Sequence, residues 1–576
     1  MPVLHFGNQS VSKELFYSQL VDNPPNMIAI DVETISLKEK LPIGFAIATS
    51  PTEAWWFDCY PERDLEIEVL ISLMSNPNIK KVYANVMFDI RVQPLIFQNF
   101  AFDESNIVDV LVLARLLGRT SARVTDLATE IGRQAQDVKD LLEEYNATTM
   151  LDLPHEVVAA KCANDAMVTL ALYHHFEPMI STLDLSADYL DVERQVIPIL
   201  VDMSQRGLAI DQDARAVMEH KMETDRNYYK DICAEHDFNP GSGMQSGYIL
   251  AKRGSFLPLT KSKKQYKTDE ETLELMTDDP LATVILGYKR ANSILTKYLY
   301  PLRGKERSYT EYGLDTEVGR TKSSDFNMQN IPSATSRVGI DVRHIFIPDT
   351  GTFTTGDFSQ IHLRFLMHMS GDKEMERVYL EGKDDGDIHI STSKKIHKPR
   401  PIAKIINYAI PYGGDPRTLA KQLKTRDLKW CSGLIDEWFY AYPDAAEWIR
   451  EARRYAVRHG KALPTLFGRQ IAIPEEFNRW GGLNKDAMER KGANYPILGS
   501  EGEVLKRALI ICANYKLPLA VQAHDSITLD GDCEFPVEAL ESFAPVRLPN
   551  ATHTWLVRCF NATLTGVSSQ FILNVD

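Results

Sequence analysis

The sequence predicts an α/β domain over residues 27–175, a mostly helical stretch over 186–300, and a mixed α/β region from there to residue 576. Three observations carry this reading. In the first zone short apolar runs, "MIAIDVET", "IGFAIAT" and "KVYANVMF", alternate with the helical stretches "VDVLVLARLLG" and "DAMVTLALYHHF", the pattern of strands interleaved with helices. In the second, "LDVERQVIPILVDMSQRG" ends at Gly207, a helix stop signal, and "LATVILGYKRANSILTKYLY" follows as another helix. In the third, strand-like segments at 352–356, 461–473 and 517–530 break up the helices. No internal repeat or low-complexity tract is present.

Bulk properties bound the function. A chain of 576 residues exceeds one domain, and length alone suggests about three or four. Apolar content of 44% and charged content of 25% are ordinary globular values. No run approaches the roughly 20 apolar residues of a membrane span, and "MPVLHFGNQSVSKELF" lacks the basic-then-apolar order of a signal peptide. The seven cysteines, at 59, 162, 233, 431, 512, 533 and 559, form no CxxC pair. Neither a zinc site nor a disulfide framework is therefore expected. The net charge of −15 argues mildly against a nucleic-acid partner. Local charge argues the other way. From Ile388 to Gly414 there is no acid, while Lys394, Lys395, Lys398, Arg400, Lys404, His389 and His397 accumulate, and "TKSKKQYK" forms a second basic cluster at 260–267. Such runs are ordinarily solvated faces; two in an acidic chain also suit a channel for a polyanion.

The first candidate site is "AIDVET". Asp31 and Glu33 lie two apart in a predicted strand, so both carboxylates face one side. Like charges so placed repel and are costly to bury unpaired, and a cation relieves that cost. Asp89, four residues after Asn85 in "YANVMFDI", and Asp165, expected to open a helix in "KCANDAMVTLALYHHF", complete a set of four acids. Here the chain resembles the four-acid 3′→5′ exonuclease domain of DNA polymerase I-like enzymes. That resemblance implies a ribonuclease H-like α/β fold, with Asp31, Glu33, Asp89 and Asp165 holding two divalent metals. Two such metals about 3.5–4 Å apart activate water and stabilise the leaving oxygen; Mg²⁺ suits the all-carboxylate set, with Mn²⁺ able to substitute. One departure stands out. The family tyrosine four residues before the last aspartate is here Lys161, which is able to pair with a carboxylate and compete with metal. Proofreading is expected, with an impaired nuclease as the alternative.

The second site centres on Asp357, in "TFTTGDFSQIHLRFLMHMSGD" at 352–372, where an extended run gives way to helical spacing. A lone acid at such a junction needs a partner. In "LPLAVQAHDSITLDGD", residues 517–532, two strands flank a hairpin with Asp525 at its tip. In "RPIAKIINYAIPYGG", Arg400, Lys404, Tyr408 and Tyr412 recur at spacing four, one face of a helix. Cations there suit a triphosphate, and an aromatic ring suits a base or sugar. Pro401 fits the first helical turn, whereas Pro411 ends the helix and puts Tyr412 on the turn that follows.

These three segments resemble motifs A, B and C of family A DNA polymerases. "MSQRGLAID", "FNPGS", "YKTDEETLEL", "TEVGRTKSSDFNMQNIP", "GDIHIS", "LFGRQIAIP" and "ERKGANYPILGSEGEVLK" align in the same order, from about 190 to 535. The resemblance implies an exonuclease-like domain over 1–185 and a right-hand polymerase over 186–576. The latter has a mostly helical thumb (about 200–310), an antiparallel palm sheet (about 311–375 and 485–576) and helical fingers (about 376–484). By this resemblance Asp357 and Asp525 bind two Mg²⁺ ions for nucleotidyl transfer to a primer 3′-hydroxyl. His389, Arg400 and Lys404 hold the phosphates of the incoming dNTP, Tyr408 packs on its sugar and base, and Gln360 and His362 complete the nucleotide pocket. Tyr412 sits beside the template base, and Arg320, Asn330, Arg490, Asn494 and His524 touch the primer–template. Sequence is then read by base pairing, so protein contacts are mostly sequence-independent. The implied partners are primer–template DNA and dNTPs, with no membrane, and the implied location is the cytoplasm, that of a bacterial host if the chain is phage-encoded.

Several departures shape these expectations. The family reads "DYSQIELR" where this chain reads "DFSQIHLR". The family glutamate limits a 2′-hydroxyl, so His362 is expected to preserve ribonucleotide exclusion in altered form. Tyr408, at a Phe-or-Tyr position, implies tolerance of dideoxynucleotides. "HDE" is here "HDS", with Ser526, which is also how single-subunit RNA polymerases read; the exonuclease-like domain and "SQI" favour DNA synthesis. Leu498 replaces a glutamine that contacts the primer–template. Residues 1–26 leave no room for a 5′-nuclease domain, and 208–300 shows no large insertion, an outline most like a bacteriophage replicative polymerase. Residues 536–576 match nothing assignable. A catalytically dead replication accessory is the non-enzymatic rival, and the presence of both Asp357 and Asp525 argues against it.

Overall fold

The computed structural model describes residues 3–6, 20, 22–36, 40–59, 71, 73–96, 106–183, 187–260, 264–276, 278–333, 339–477, 481–542 and 557–563. Residues 261–263 of the basic cluster lie outside them. Six strands form one sheet near the N-terminus: β1 (Val3–Phe6), β2 (Met27–Thr34), β3 (Pro42–Ser50), β4 (Glu53–Asp58), β5 (Lys80–Tyr83) and β6 (Ile107–Asp109), in the order β1-β4-β3-β2-β5-β6. β2 is antiparallel to β3 and parallel to β5. Its central place explains why all but Met27 and Asp31 are buried along it. The His155–Ser181 helix lies across β2 and β3 and buries Val158, Cys162, Ala166 and Leu170.

Two expectations about this zone are corrected. "KVYANVMF" is not one strand: β5 ends at Tyr83, Asn85 takes the left-handed conformation (φ 74°), and the Val86–Ile96 helix begins. Asp109 causes the break, because its carboxylate accepts from the backbone N–H groups of Asn85, Val86 and Leu111 and so caps two chain segments at once. Asp165 does not open a helix. It sits inside the His155–Ser181 helix, which starts just after Pro154.

The Ala187–Arg206 helix ends before Gly207 as expected. A side chain at Gly207 would meet the Ser308 carbonyl oxygen at 2.5 Å, and its φ is +57°, so only glycine makes this stop. The Gln212–Ala234 and Pro280–Ile294 helices pack together, bringing Cys233 into a small core with Leu250, Leu273, Leu281 and Ile285.

A second sheet, fully antiparallel, carries Asp357. Its strand order is Leu519–Ala523, Ser526–Asp530, Thr352–Phe358, Val557–Thr563. The last strand lies in the C-terminal region to which the sequence assigned nothing; it covers the open edge of the Asp357 strand, with Asp357 opposite Arg558. An uncovered edge is a template for unwanted pairing. Segment 461–473 is not a strand. It makes a single bridge, Lys461 to Ala472, because Pro464 and Gly468 (φ +89°) turn the chain between them. Cys162, Cys233, Cys431, Cys512 and Cys533 form no disulfide. No described helix is long and apolar enough to cross a membrane.

Candidate active sites

In the first sheet, β2 presents Asp31 and Glu33 toward the His155–Ser181 helix, as the alternation of strand residues dictates. Lys161 and Asp165 are one turn apart on that helix. The Lys161 ammonium donates to Glu33 Oε1 at 2.6 Å and to Asp165 Oδ2 at 2.9 Å, and its side chain is 9% exposed. The other carboxylate oxygen of Asp165, Oδ1, is buried without a hydrogen-bond partner. Asp89, buried in the first turn of the Val86–Ile96 helix, closes the group. Burial, followed by the neighbouring Asp31 and Asp109 charges, pushes its carboxyl well above the usual range. Burial also raises Asp31 well above its ordinary value, against the pull of Lys161. Glu33 is raised for the same reason. Burial opposes the charge on Lys161 too, but Glu33, Asp165 and Asp31 outweigh it and hold the ammonium well above its usual value. Ionising Asp31 and Asp89 together is therefore unfavourable without further positive charge, which a divalent cation would supply. Between Glu33 and Asp165 the ammonium already fills the cation's place. Two details escaped the sequence reading. Asp109 is buried and pushed up to about 6, burial outweighing its three backbone N–H bonds; its strand-to-helix position was the available signal. Cys162 Sγ donates to the Asp31 carbonyl at 3.3 Å and stands in one group with Asp31 and Glu33.

The second site is built by a hairpin and a junction. Asp357 pairs with Ser526 across the antiparallel strands, and Phe358 N donates to the Asp525 carbonyl at 3.1 Å. Directly opposed residues in such a ladder have Cα atoms about 4.5–5.5 Å apart. The two aspartates, 168 positions apart in sequence, are therefore neighbours. His524 in the left-handed region (φ 53°) makes the turn. Burial and then Glu501 raise the Asp525 carboxyl, while its favourable neighbours are the histidines 362 and 524. Added positive charge would ease its ionisation, and a hard divalent cation would supply it. After Asp357, Gln360 adopts φ 54° and starts the Ile361–Ser370 helix, and its Oε1 accepts from Tyr379 Oη at 2.9 Å.

The Arg400–Ala409 helix supplies one wall. Pro401 is in its first turn, and Tyr412 follows on a separate turn, as the sequence predicts. Tyr408 faces both aspartates: burial, then Asp525 and Asp357, push its hydroxyl up to about 12. Its ring lies 5.6 Å from that of His389. Arg400 is tied to Asp387 by Nε at 3.1 Å and Nη2 at 2.7 Å; Lys404 is half-buried one turn on. The basic run is less free than its sequence suggests. Lys395 pairs with Glu374 at 2.7 Å and Lys394 with Asp384, so part of its charge is neutralised locally.

His389 shows how neighbours fix a proton. Trp438 Nε1, which can only donate, reaches Asn407 Oδ1 at 2.8 Å, and Thr392 Oγ1 donates to the same oxygen at 3.0 Å. Asn407 Nδ2 must then be the donor to His389 Nδ1, 2.9 Å away. The ring proton of neutral His389 is left on Nε2. Burial pushes its pKa down to about 4, so near neutral pH it is an uncharged donor. We expect Asn407→Leu to release this tautomer. Imidazole nitrogen NMR checks it; an unchanged Nε2–H tautomer in the variant contradicts the assignment.

Around His524, Arg320 Nη2 donates to Glu501 Oε1 at 2.8 Å and lies 3.3 Å from His524 Nδ1. A cavity of about 280 Å³ is lined by Arg320, Asn330, Glu501, Gln522 and His524, and a second of about 570 Å³ by Lys289, Lys297, Asn330, Arg343 and His524. Asn330 is exposed and bonds to Asn327. Asn494 Oδ1 is buried without a partner, facing no protein donor. Arg490 packs against Gly413. Neither Asn330 nor Arg490 touches the aspartates in any described contact. Glu501, which the sequence reading left unremarked, is the hub of this region; only its place on a helix of mixed polarity hinted at it.

The profile of DNA polymerase family A matches residues 210–545, and that of a 3′-5′ exonuclease matches residues 9–181. DNA polymerase I of Pseudomonas aeruginosa is 27% identical over 91% of this chain and 62% of its own length. DNA polymerase I of Chloroflexus aurantiacus is 28% identical over 87% and 56%, and the thermostable DNA polymerase I of Thermus aquaticus is 28% identical over 63% and 46%. The chain thus spans about half to three-fifths of these relatives. The POL domain of Pol1 from M. smegmatis, solved in complex with DNA primer-template and dNTP, shares the fold, with a TM-score of 0.72 at 20% identity, over 92% of this chain and 94% of that one.

Proposed function

The chain belongs to DNA polymerase family A, and from that premise we propose that it extends a DNA primer by template-directed nucleotidyl transfer at Asp357 and Asp525. We further propose that it carries a 3′→5′ nuclease site at Asp31, Glu33, Asp89 and Asp165 that Lys161 holds in check. The observation that carries the first reading is the adjacency of Asp357 and Asp525 across one antiparallel pairing. These two carboxylates would hold Mg²⁺. Bound there, the metal supplies acidification of the primer 3′-hydroxyl and neutralisation of triphosphate charge. The chain's own residues bind and orient. Lys404 and the Nε2–H of His389 donate to the phosphates, and Arg400 joins them from the position that Asp387 fixes. Tyr408 packs on the sugar and base. Arg320, Asn330, Arg490, Asn494, Tyr412 and His524 line the path of the primer–template. Extension of a 5′-labelled primer, with and without dNTPs, tests both readings: lengthening with dNTPs supports synthesis, and no lengthening would sink it.

At the first site the described residues fit one divalent cation beside Asp31 and Asp89. They do not fit a second between Glu33 and Asp165, where the Lys161 ammonium sits. This favours an attenuated nuclease.

Tyr408 supplies a further expected result. Its hydroxyl faces the two aspartates, where an incoming 3′-position would otherwise contribute polarity. We expect ddTTP and dTTP to be incorporated with kcat/KM values within about tenfold of each other, and Tyr408→Phe to lower ddTTP use by about a further hundredfold, which is roughly 2.7 kcal/mol. A primer-extension gel with mixed dTTP and ddTTP reads both values.

A further inference from the structure

The family position that carries a glutamate is here His362, yet a carboxylate still reaches this corner of the nucleotide pocket. Glu501, on the Lys485–Asn514 helix, is 1% exposed. Its Oε2 lies 2.7 Å from His362 Nε2, and its Oε1 accepts from Arg320 at 2.8 Å. On the far side of the imidazole, Tyr412 Oη lies 2.6 Å from Nδ1, with the two rings edge-on at 5.6 Å. A carboxylate only accepts, so His362 Nε2 carries a proton and donates to it. The Glu501 carboxyl is kept below its usual range: burial opposes ionisation, but the bonds from His362 and the charge of Arg320 outweigh it. The imidazole is therefore clamped at both nitrogens, and neither ring rotation nor tautomer exchange is free. The close approach has a local cause. The residue after Glu501 is Gly502, and any side chain there would meet the Gly319 carbonyl at 2.8 Å and Arg320 N at 3.0 Å. Glycine lets the helix press on the 316–320 segment and hands Arg320 to Glu501. Both His362 and Glu501 are near enough to Asp525 to shift its carboxyl, in opposite directions.

We propose that Glu501 is a positioning and sugar-specificity residue, which clamps His362 against Tyr412 from across the pocket and so forms the wall that excludes a 2′-hydroxyl. The charge that the family brings on the Asp357 helix arrives here from the opposite helix. Through Arg320 the same carboxylate also ties the wall to the primer-contacting surface. A site with fixed donors and acceptors rejects a misfitting hydroxyl far better than an unanchored ring does. This proposal rests on the synthetic reading above.

The test is single-nucleotide incorporation of dTTP and UTP by the full chain on one primer–template. Glu501→Gln is expected to lower the dNTP/rNTP ratio of kcat/KM at least about tenfold, by lowering the KM for UTP while raising that for dTTP. His362→Glu alone sets two acids face to face in a buried space and is expected to lose both activity and thermal stability. Combined with Glu501→Ala, it restores a single carboxylate, and the ratio is expected to recover. That reciprocal rescue is a result a merely structural role does not give. A Glu501→Gln enzyme with the wild-type ratio would overturn the proposal. Should Glu501→Gln not fold, Glu501→Asp and His362→Asn carry the same expectation of a lowered ratio and the same refutation. A wild-type chain that extends no primer overturns the synthetic reading itself, and so is told apart from failure of this proposal alone.

Discussion

Asp357→Asn and Asp525→Asn are each expected to reduce primer extension by at least about a thousandfold, roughly 4 kcal/mol of transition-state stabilisation. Both should leave primer–template affinity within a few-fold. The reason is positional. Asp357 ends a strand whose neighbours are both backbone-paired, and Asp525 sits on a hairpin turn anchored to Phe358 N. Backbone pairing holds the sheet here, and a neutral isostere keeps the side-chain shape while removing its charge. The burial that raises Asp525 disfavours its carboxylate in the absence of a cation, and amides do not replace that negative charge. A single-turnover extension assay gives the rate, and a filter-binding assay gives the affinity. A rate within tenfold of wild type for either variant contradicts the role assigned to that residue.

Lys161→Tyr is expected to raise the rate at which a labelled primer shortens without dNTPs by about 10- to 100-fold, the range by which secondary partners of metal ligands alter such sites. Lys161 now satisfies Glu33 and Asp165 at 2.6 and 2.9 Å. Removing it leaves the buried Glu33 and the partly buried Asp165 without the cation they share. A buried ion pair broken on one side costs about 3–5 kcal/mol, so Lys161→Ala should melt several degrees lower in chelator. Binding of a ligand to the folded state alone restores stability by mass action. Added Mn²⁺ should therefore return much of that loss in the variant, and less in the parent. The comparison is made on an Asp357→Asn/Asp525→Asn background, so that metal at the second site does not contribute. Equal shortening rates for Lys161→Tyr and its parent, together with equal Mn²⁺ effects on melting, would refute the idea that this ammonium restrains the nuclease.

What the sequence conveyed and what it withheld follow from the range of the interactions. The strand-to-helix change at Asp357, the hairpin tip at Asp525 and the helix carrying Arg400, Lys404 and Tyr408 are local patterns of period, turn and proline, and each was legible. So was the stop at Gly207. Lys161 was legible as a departure, but its contact with Glu33 spans 128 positions and needed the folded helix over β2. Glu501 reads as one more polar residue on a long helix, and its burial depends on His362 and Arg320 arriving from other segments. Asp109 was lost among apolar neighbours, although it sets the start of two chain segments. The 461–473 segment looked strand-like, but Pro464 and Gly468 turn the chain and leave a single bridge. The strand at 557–563 was missed because edge strands are recognised by the partner they cover, here the Asp357 strand itself.

The most direct test of the central claim is to locate metal. Crystals of the Asp31→Asn chain with primer–template, a non-hydrolysable dNTP analogue and Mn²⁺ would give anomalous peaks at the ions. Peaks are expected within about 2.0–2.4 Å of carboxylate oxygens from both Asp357 and Asp525. Well-occupied Mn²⁺ and nucleotide with no peak in reach of either aspartate would contradict it.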